Sequence, residues 1–323
     1  MPLKTMLKTA IYILSIGLLV GCSAKSKLYL NALEQKDGFI PAAPTDIEPI
    51  VRTPIVYGVH EVSGGASPRL GNRIGAAATP GLKVTVNKEQ VNFDINSERF
   101  RVYVPSGYTD DKPCGLLVFI AGTPKPELPA SWFAVFDQKQ MLWISAFDAG
   151  DQQPTHRRIG LALEARKYAM LNYNIDPKRI YISGVSGGGI ACSTIVARFP
   201  EAFNGSVQIA GAGGFGIGYR EFEGHKMSFK SESQASVSGL YTSGRYNILS
   251  RHVIKRLRAK NRFVIIIGRN DFFYQMTARA YVSMRYMGFQ TLYLEIPGLG
   301  HQMPSEQEPI VRALDYLDRT KSR

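Results

Sequence analysis

Ser186 stands within Gly184-Val185-Ser186-Gly187-Gly188, a G-x-S-x-G pattern in which a strand turns so sharply into a helix that only small residues fit beside the serine. A serine hydroxyl is a poor nucleophile at its free pKa, so the pattern needs a base, and the base needs a group to orient it. His301 closes the run Pro297-Gly298-Leu299-Gly300-His301 and is the candidate base. Asp271, at the end of Gly268-Arg269-Asn270-Asp271, is the candidate orienter, with Asp148 and Asp151 as rivals. Such a set performs acyl transfer: the serine oxygen attacks a carbonyl, the imidazole takes and returns the proton, and the carboxylate holds the imidazolium. His60, His156 and His252 have no comparable placement, whereas His225 falls in a long irregular segment from which it could contact substrate.

The negative charge that develops on the carbonyl oxygen needs preorganised N–H donors. Gly187, directly after the serine, supplies one. A second is expected from Ala121-Gly122-Thr123-Pro124; Pro124 has no N–H to give, which leaves Thr123, with Gly122 in reserve. Trp132 beyond this loop, and Phe272, Phe273 and Tyr274 beyond Asp271, could line an acyl or aromatic pocket or equally pack into the core.

These residues are useful only if strands and helices bring them together. Phe100–Val104 and Gly115–Ile120 read as strands, the second fully buried, and Met141–Phe147 reads as another. Arg158–Asn172 carries Leu161, Ala165 and Tyr168 at helical spacing beside Ala162 and Ala169, which predicts a helix with a wide apolar face. Arg179–Ser183 predicts the strand before Ser186, and a helix should follow it to Arg198. Arg262–Ile267 and Thr291–Ile296 are two further apolar runs, separated by a helix-like stretch over 275–287. Alternating strands and helices imply right-handed parallel crossovers and hence an α/β fold, a doubly wound, mostly parallel sheet. Asp271 and His301 then fall just past strand ends, on the side where such sheets bind ligands. Residues 211–247, rich in Gly, Ser and Tyr, are too long for an ordinary connection and read as an insertion over the site.

The 323 residues are 45% hydrophobic and 20% charged, which excludes collagen-like repetition and a disordered chain. No segment reaches the roughly 18 to 20 unbroken apolar residues of a spanning helix, so a channel or transporter is not expected. The net charge of +13 is read as a basic surface, with no nucleic acid expected as partner. Lys4, Lys8 and the apolar run Ala10–Val20 read as a signal segment over 1–21. It ends in Leu19-Val20-Gly21-Cys22, which resembles a bacterial lipobox. That resemblance implies lipidation at Cys22 and a cell-envelope location held to the membrane by the anchor; the mix of Lys, Ser, Ala and Pro without periodicity then reads as a lipidated tether over 22–50, before a folded domain over 51–323. With Ser23 following the cysteine, the outer membrane is implied if the envelope is Gram-negative. The two remaining cysteines, Cys114 and Cys192, are expected as buried thiols, although one bridge between them is possible in an oxidising compartment. No CxxC or HxxxH spacing suggests zinc, and the serine chemistry requires no cofactor.

Over residues 100–305 the order Ser, Asp, His, the stretch Asp176–Gly189 (DPKRIYISGVSGGG), the GRND loop and Gly300–Pro304 (GHQMP) resemble the α/β-hydrolase superfamily. Within it the likeness is to the polyhydroxybutyrate depolymerase and feruloyl esterase-like group. That resemblance implies a serine esterase acting on polyesters or on acyl groups attached to polysaccharide. Ala121 departs from the pattern, standing where a histidine is common. A serine peptidase of the same fold and a binding lipoprotein with an idle triad are the alternatives.

Overall fold

The apolar runs become the inner strands of one sheet in a computed structural model, which describes residues 55–63, 84–86, 89–91, 94–216, 246–249 and 251–319. The expected signal segment 1–21, Cys22, the tether 22–50, His225 and most of the segment 211–247 lie outside the described residues. The strands are β1 (Gly58–Ser63), β2 (Val84–Val86), β3 (Glu89–Val91), β4 (Arg99–Val104), β5 (Cys114–Ile120), β6 (Met141–Ala146), β7 (Ile175–Val185), β8 (Gly205–Ile209), β9 (Gly214–Gly216), β10 (Tyr246–Ile248), β11 (Arg262–Gly268) and β12 (Gln290–Ile296). The helices are α1 (Ser131–Lys139), α2 (Thr155–Asn172), α3 (Gly187–Arg198), α4 (Arg251–Lys260), α5 (Tyr274–Tyr286) and α6 (Glu308–Asp318).

Eight strands share the main sheet in the order β1-β4-β6-β5-β7-β8-β11-β12. β1 and β4 are antiparallel to their neighbours, and the strands from β6 to β12 run parallel. Parallel strands need crossovers, and the helices that provide them cover both faces. Along β5 every residue is buried, and the alternation of the pleat sends Leu116, Val118 and Ile120 to one face and Leu117 and Phe119 to the other. The first face packs on Ile159 and Leu161 of α2 and Ile195 of α3. The second packs on Trp132 and Phe136 of α1 and Ile310 and Leu314 of α6. Fully burying one such aliphatic side chain contributes about 1.5–3 kcal/mol, so β5 is the spine of both cores.

β7 begins at Ile175 rather than Arg179. Pro177 and the charges beside it mask this stretch from an apolar reading, and the ladder shifts register between Cys114 and Leu116 to accommodate it. β8 has no counterpart among the expected strands. All of its residues are buried, yet one face carries Ser206 and Gln208, both fully shielded, so its pattern is not apolar. Gln208 Nε2 donates to Ser206 Oγ at 3.0 Å, and Ser193 Oγ donates to Gln208 Oε1 at 2.7 Å, which satisfies polar groups that would otherwise be costly there. The ends of the segment 211–247 are tied together, β9 pairing in parallel with β10. Cys114 and Cys192 are both buried and unbridged. Burial pushes the Cys114 thiol up to about 11, and that of Cys192 higher still.

Candidate active site

β7 delivers Ser186 at the carboxyl end of the sheet, between β5 and β8. The serine has φ 58° and ψ −125°, a left-handed conformation that costs a non-glycine residue about 1–3 kcal/mol. Neighbouring backbone holds it there: Ser186 N–H donates to Ile209 O at 2.9 Å, and Ile190 N–H donates to Ser186 O at 3.2 Å. The flanking glycines are required by space. A Cβ on Gly188 would lie 2.1 Å from Ile120 O, and one on Gly184 would lie 2.5 Å from the carbonyl carbon of Gly188. Helix α3 therefore starts hard against β5, and the serine side chain is forced up and out of the turn.

Asp271 follows β11 and His301 follows β12, so adjacent parallel strands present the two side chains to each other. The Asp271 carboxylate, with its side chain fully buried, meets His301 Nδ1 at 2.9 Å through Oδ1 and at 3.0 Å through Oδ2. Phe273 N–H also donates to Asp271 Oδ1, at 2.7 Å. An ionised carboxylate only accepts, so the ring proton sits on Nδ1 and Nε2 keeps its lone pair. That nitrogen lies 2.8 Å from Ser186 Oγ. Ser186, His301 and Asp271 thus form one hydrogen-bonded chain in which a base is oriented on a hydroxyl. Asp148 and Asp151, the rival orienters, are not part of it.

Asp151 instead lies on the far side of the serine, where its Oδ2 accepts the Gly187 N–H at 3.3 Å. Its Oδ1 is paired with Arg158 Nη2 at 2.8 Å, and Arg158 is 4% exposed. Arg158 also donates to Ala149 O and Ala121 O, tying the loop after β6 to the loop after β5. Asp151 N–H completes the connection by donating to Gly122 O at 2.9 Å. A Cβ on Gly122 would lie 3.6 Å from Ser186 Cβ, which places this loop directly beside the serine. Thr123 is the next residue, its hydroxyl donating to Lys125 O.

Phe272 is 71% exposed, yet its ring lies 4.1 Å from that of His301, with Phe273 edge-on to the imidazole at 5.2 Å. These two aromatics flank the base, whereas Tyr274 turns away to donate to Glu295 Oε2. Trp132 does not line the site: it is fully buried in α1 and donates from Nε1 to Pro304 O at 3.1 Å. Gln307 Nε2 donates to Ser131 O at 2.9 Å and Ser131 Oγ donates to Ser305 O, so α1 grips the segment just beyond His301 at three points. Among the described residues no group of three or more His, Cys, Asp or Glu is arranged to hold a metal ion, and no helix is long and apolar enough to cross a membrane.

A mostly parallel sheet wound on both faces, with a serine on a strained turn at its carboxyl end, defines an α/β-hydrolase fold. A model of the prolyl oligopeptidase family matches residues 148–319, and the chain belongs to that family; it is a serine hydrolase. The matched span holds Ser186, Asp271 and His301 but not the loop Ala121–Pro124. Among solved structures the chain is similar to the S-formylglutathione hydrolase of Staphylococcus aureus, at 14% identity over 68% of this chain and 92% of that one, with a TM-score of 0.50. It is similar to a substrate-bound fluorophosphonate-binding serine hydrolase of the same organism, at 15% identity over 69% of this chain and 93% of that one, with a TM-score of 0.50. A ferulic acid esterase aligns at 14% identity over 81% of this chain and 98% of that one, with a TM-score of 0.51. At these identities the likeness is one of fold. Comparison with curated protein sequences finds none that matches.

Proposed function

We propose that this protein is an ester hydrolase working through a Ser186–His301–Asp271 triad and an acyl-enzyme. The observation that carries the reading is the unbroken chain from the buried Asp271 carboxylate through His301 to Ser186 Oγ. In the first step His301 Nε2 takes the hydroxyl proton as Oγ bonds to the ester carbonyl carbon, and Asp271 stabilises the imidazolium. Gly187 N–H and, from the neighbouring loop, Thr123 N–H receive the oxyanion. The imidazolium then protonates the leaving alcohol as the C–O bond breaks. Water, deprotonated by the same nitrogen, releases the acid and regenerates the serine. Phe272, exposed over the imidazole, borders the leaving-group side, which suits a substrate with apolar surface next to the ester. Polyesters and acyl esters on polysaccharide fit this description, and the ferulic acid esterase is a fold relative. Lipidation at Cys22 would place the enzyme on the envelope membrane of a bacterium, facing insoluble or polymeric substrates.

The family match favours a second reading, a serine peptidase with the same three residues. The two separate in one experiment: kcat/KM of the protein lacking residues 1–22, measured on aryl and alkyl esters, on a feruloyl ester and on proline-containing peptides. The proposal expects turnover of esters with no measurable peptide cleavage, and loss of activity by about a million-fold in kcat for Ser186→Ala. Peptide cleavage at a rate equal to or above that of unactivated alkyl esters would replace the esterase with the peptidase.

A further inference from the structure

The amide that an oxyanion requires is already engaged. Gly187 N–H points at Asp151 Oδ2, 3.3 Å away, and a single amide proton cannot serve both this carboxylate and a substrate oxygen at full strength. Asp151 is not a loose surface side chain that drifts clear when substrate arrives. Its Oδ1 is held by the buried Arg158 guanidinium, its own N–H is bound to Gly122 O, and Arg158 is fixed in turn by Ala149 O and Ala121 O. When a carbonyl oxygen takes the Gly187 N–H, Oδ2 pivots about this anchor and stays close to the reacting carbon. It has then lost a donor while keeping its negative charge; the side chain is 23% exposed, so water offsets part of that loss, and a donor fixed on the substrate offsets it without the cost of ordering a water.

We propose that Asp151 is a specificity-determining residue of this hydrolase: its carboxylate covers the oxyanion donor and admits acyl groups that carry a hydroxyl or ammonium donor near the scissile carbonyl, in preference to unsubstituted or anionic ones. A donor on the acyl chain replaces the Gly187 N–H as partner of Oδ2, so displacement of the carboxylate is offset by the substrate itself. An unsubstituted acyl chain offers no replacement, and an acyl carboxylate adds like-charge repulsion. The inference rests on the ester hydrolase reading and adds the acyl class it selects.

The test uses four esters of one alcohol, the butyrate, 3-hydroxybutyrate, 3-aminobutyrate and hydrogen succinate, with wild type, Asp151→Asn and Asp151→Ala. Wild type should prefer the hydroxyl or ammonium ester over the butyrate by about tenfold in kcat/KM, the size of one hydrogen bond to a charged group, and turn over the succinate most slowly. Whichever of the two donor esters leads identifies the donor. Asp151→Asn keeps an acceptor for Arg158, so thermal unfolding should show a folded protein; the same variant should raise butyrate kcat/KM and shrink the preference to within about twofold. Asp151→Ala should do the same where it folds. A wild type that hydrolyses all four esters without preference overturns the proposal by itself, whatever the variants do. So does a folded Asp151→Asn that loses activity on butyrate and keeps the preference. If wild type hydrolyses none of the four esters and does not react with a fluorophosphonate, the ester hydrolase reading fails and this inference falls with it.

Discussion

As the base of the proposed triad, His301 needs its proton on Nδ1, and the Asp271 carboxylate is placed to hold it there. The carboxylate accepts from Nδ1 through both oxygens and is itself held by Phe273 N–H, so neither partner can rotate without losing a hydrogen bond. Asp271→Asn should leave the fold intact and lower kcat by about 10⁴, because the amide can donate to Nδ1 and turn the ring to the wrong tautomer. Circular dichroism with ester kinetics checks this, and a loss of less than tenfold would mean that another group orients the ring. Three acids stood as candidates in the sequence because each follows an apolar strand, and strand order alone does not say which neighbours His301. The sheet decides: β11 and β12 are adjacent, whereas Asp148 and Asp151 follow β6 on the other side of β7. The sequence marks Asp151 only as one of those rivals. Its contact with Gly187 joins loops that are distant along the chain and leaves no local pattern.

At the scale of elements, the site depends on a helix that never reaches it. α1 buries Trp132 beneath the sheet and reaches the segment after His301 through Pro304 O and Gln307. Trp132→Phe keeps an aromatic filler but leaves Pro304 O without its buried donor. It should cost about 1–3 kcal/mol of stability and, by loosening the histidine loop, lower kcat several-fold while KM stays near wild type. Thermal unfolding and steady-state kinetics measure both, and unchanged values would leave Trp132 as core packing alone. β5, β11 and β12 were legible because long apolar runs flanked by turn residues admit few other readings. β8 was not, since Ser206 and Gln208 are buried and satisfied only by each other and by Ser193, a partner from α3. Helix α1 escaped for a related reason: its apolar face is only Trp132, Val135 and Phe136, too short a repeat to stand out in the sequence.

The molecule as a whole joins a basic, hydrolase-fold domain to an N-terminal stretch with the charge, length and small residues of a lipoprotein signal. In this account a bilayer anchor at Cys22 would bring the mouth of the sheet to substrates that do not diffuse. The basic charge that remains once residues 1–21, with Lys4 and Lys8, are removed would assist by attracting anionic envelope surfaces, an effect that weakens as salt rises. All of this rests on one claim, that Ser186 is an activated nucleophile. The direct measurement is reaction of the protein lacking residues 1–22 with a fluorophosphonate, read as a mass increase on the peptide that carries Ser186 and compared with Ser186→Ala and His301→Ala. Wild type should be labelled stoichiometrically at Ser186, and neither variant should be labelled. A folded wild type that stays unlabelled, or is labelled at another residue, would contradict that claim.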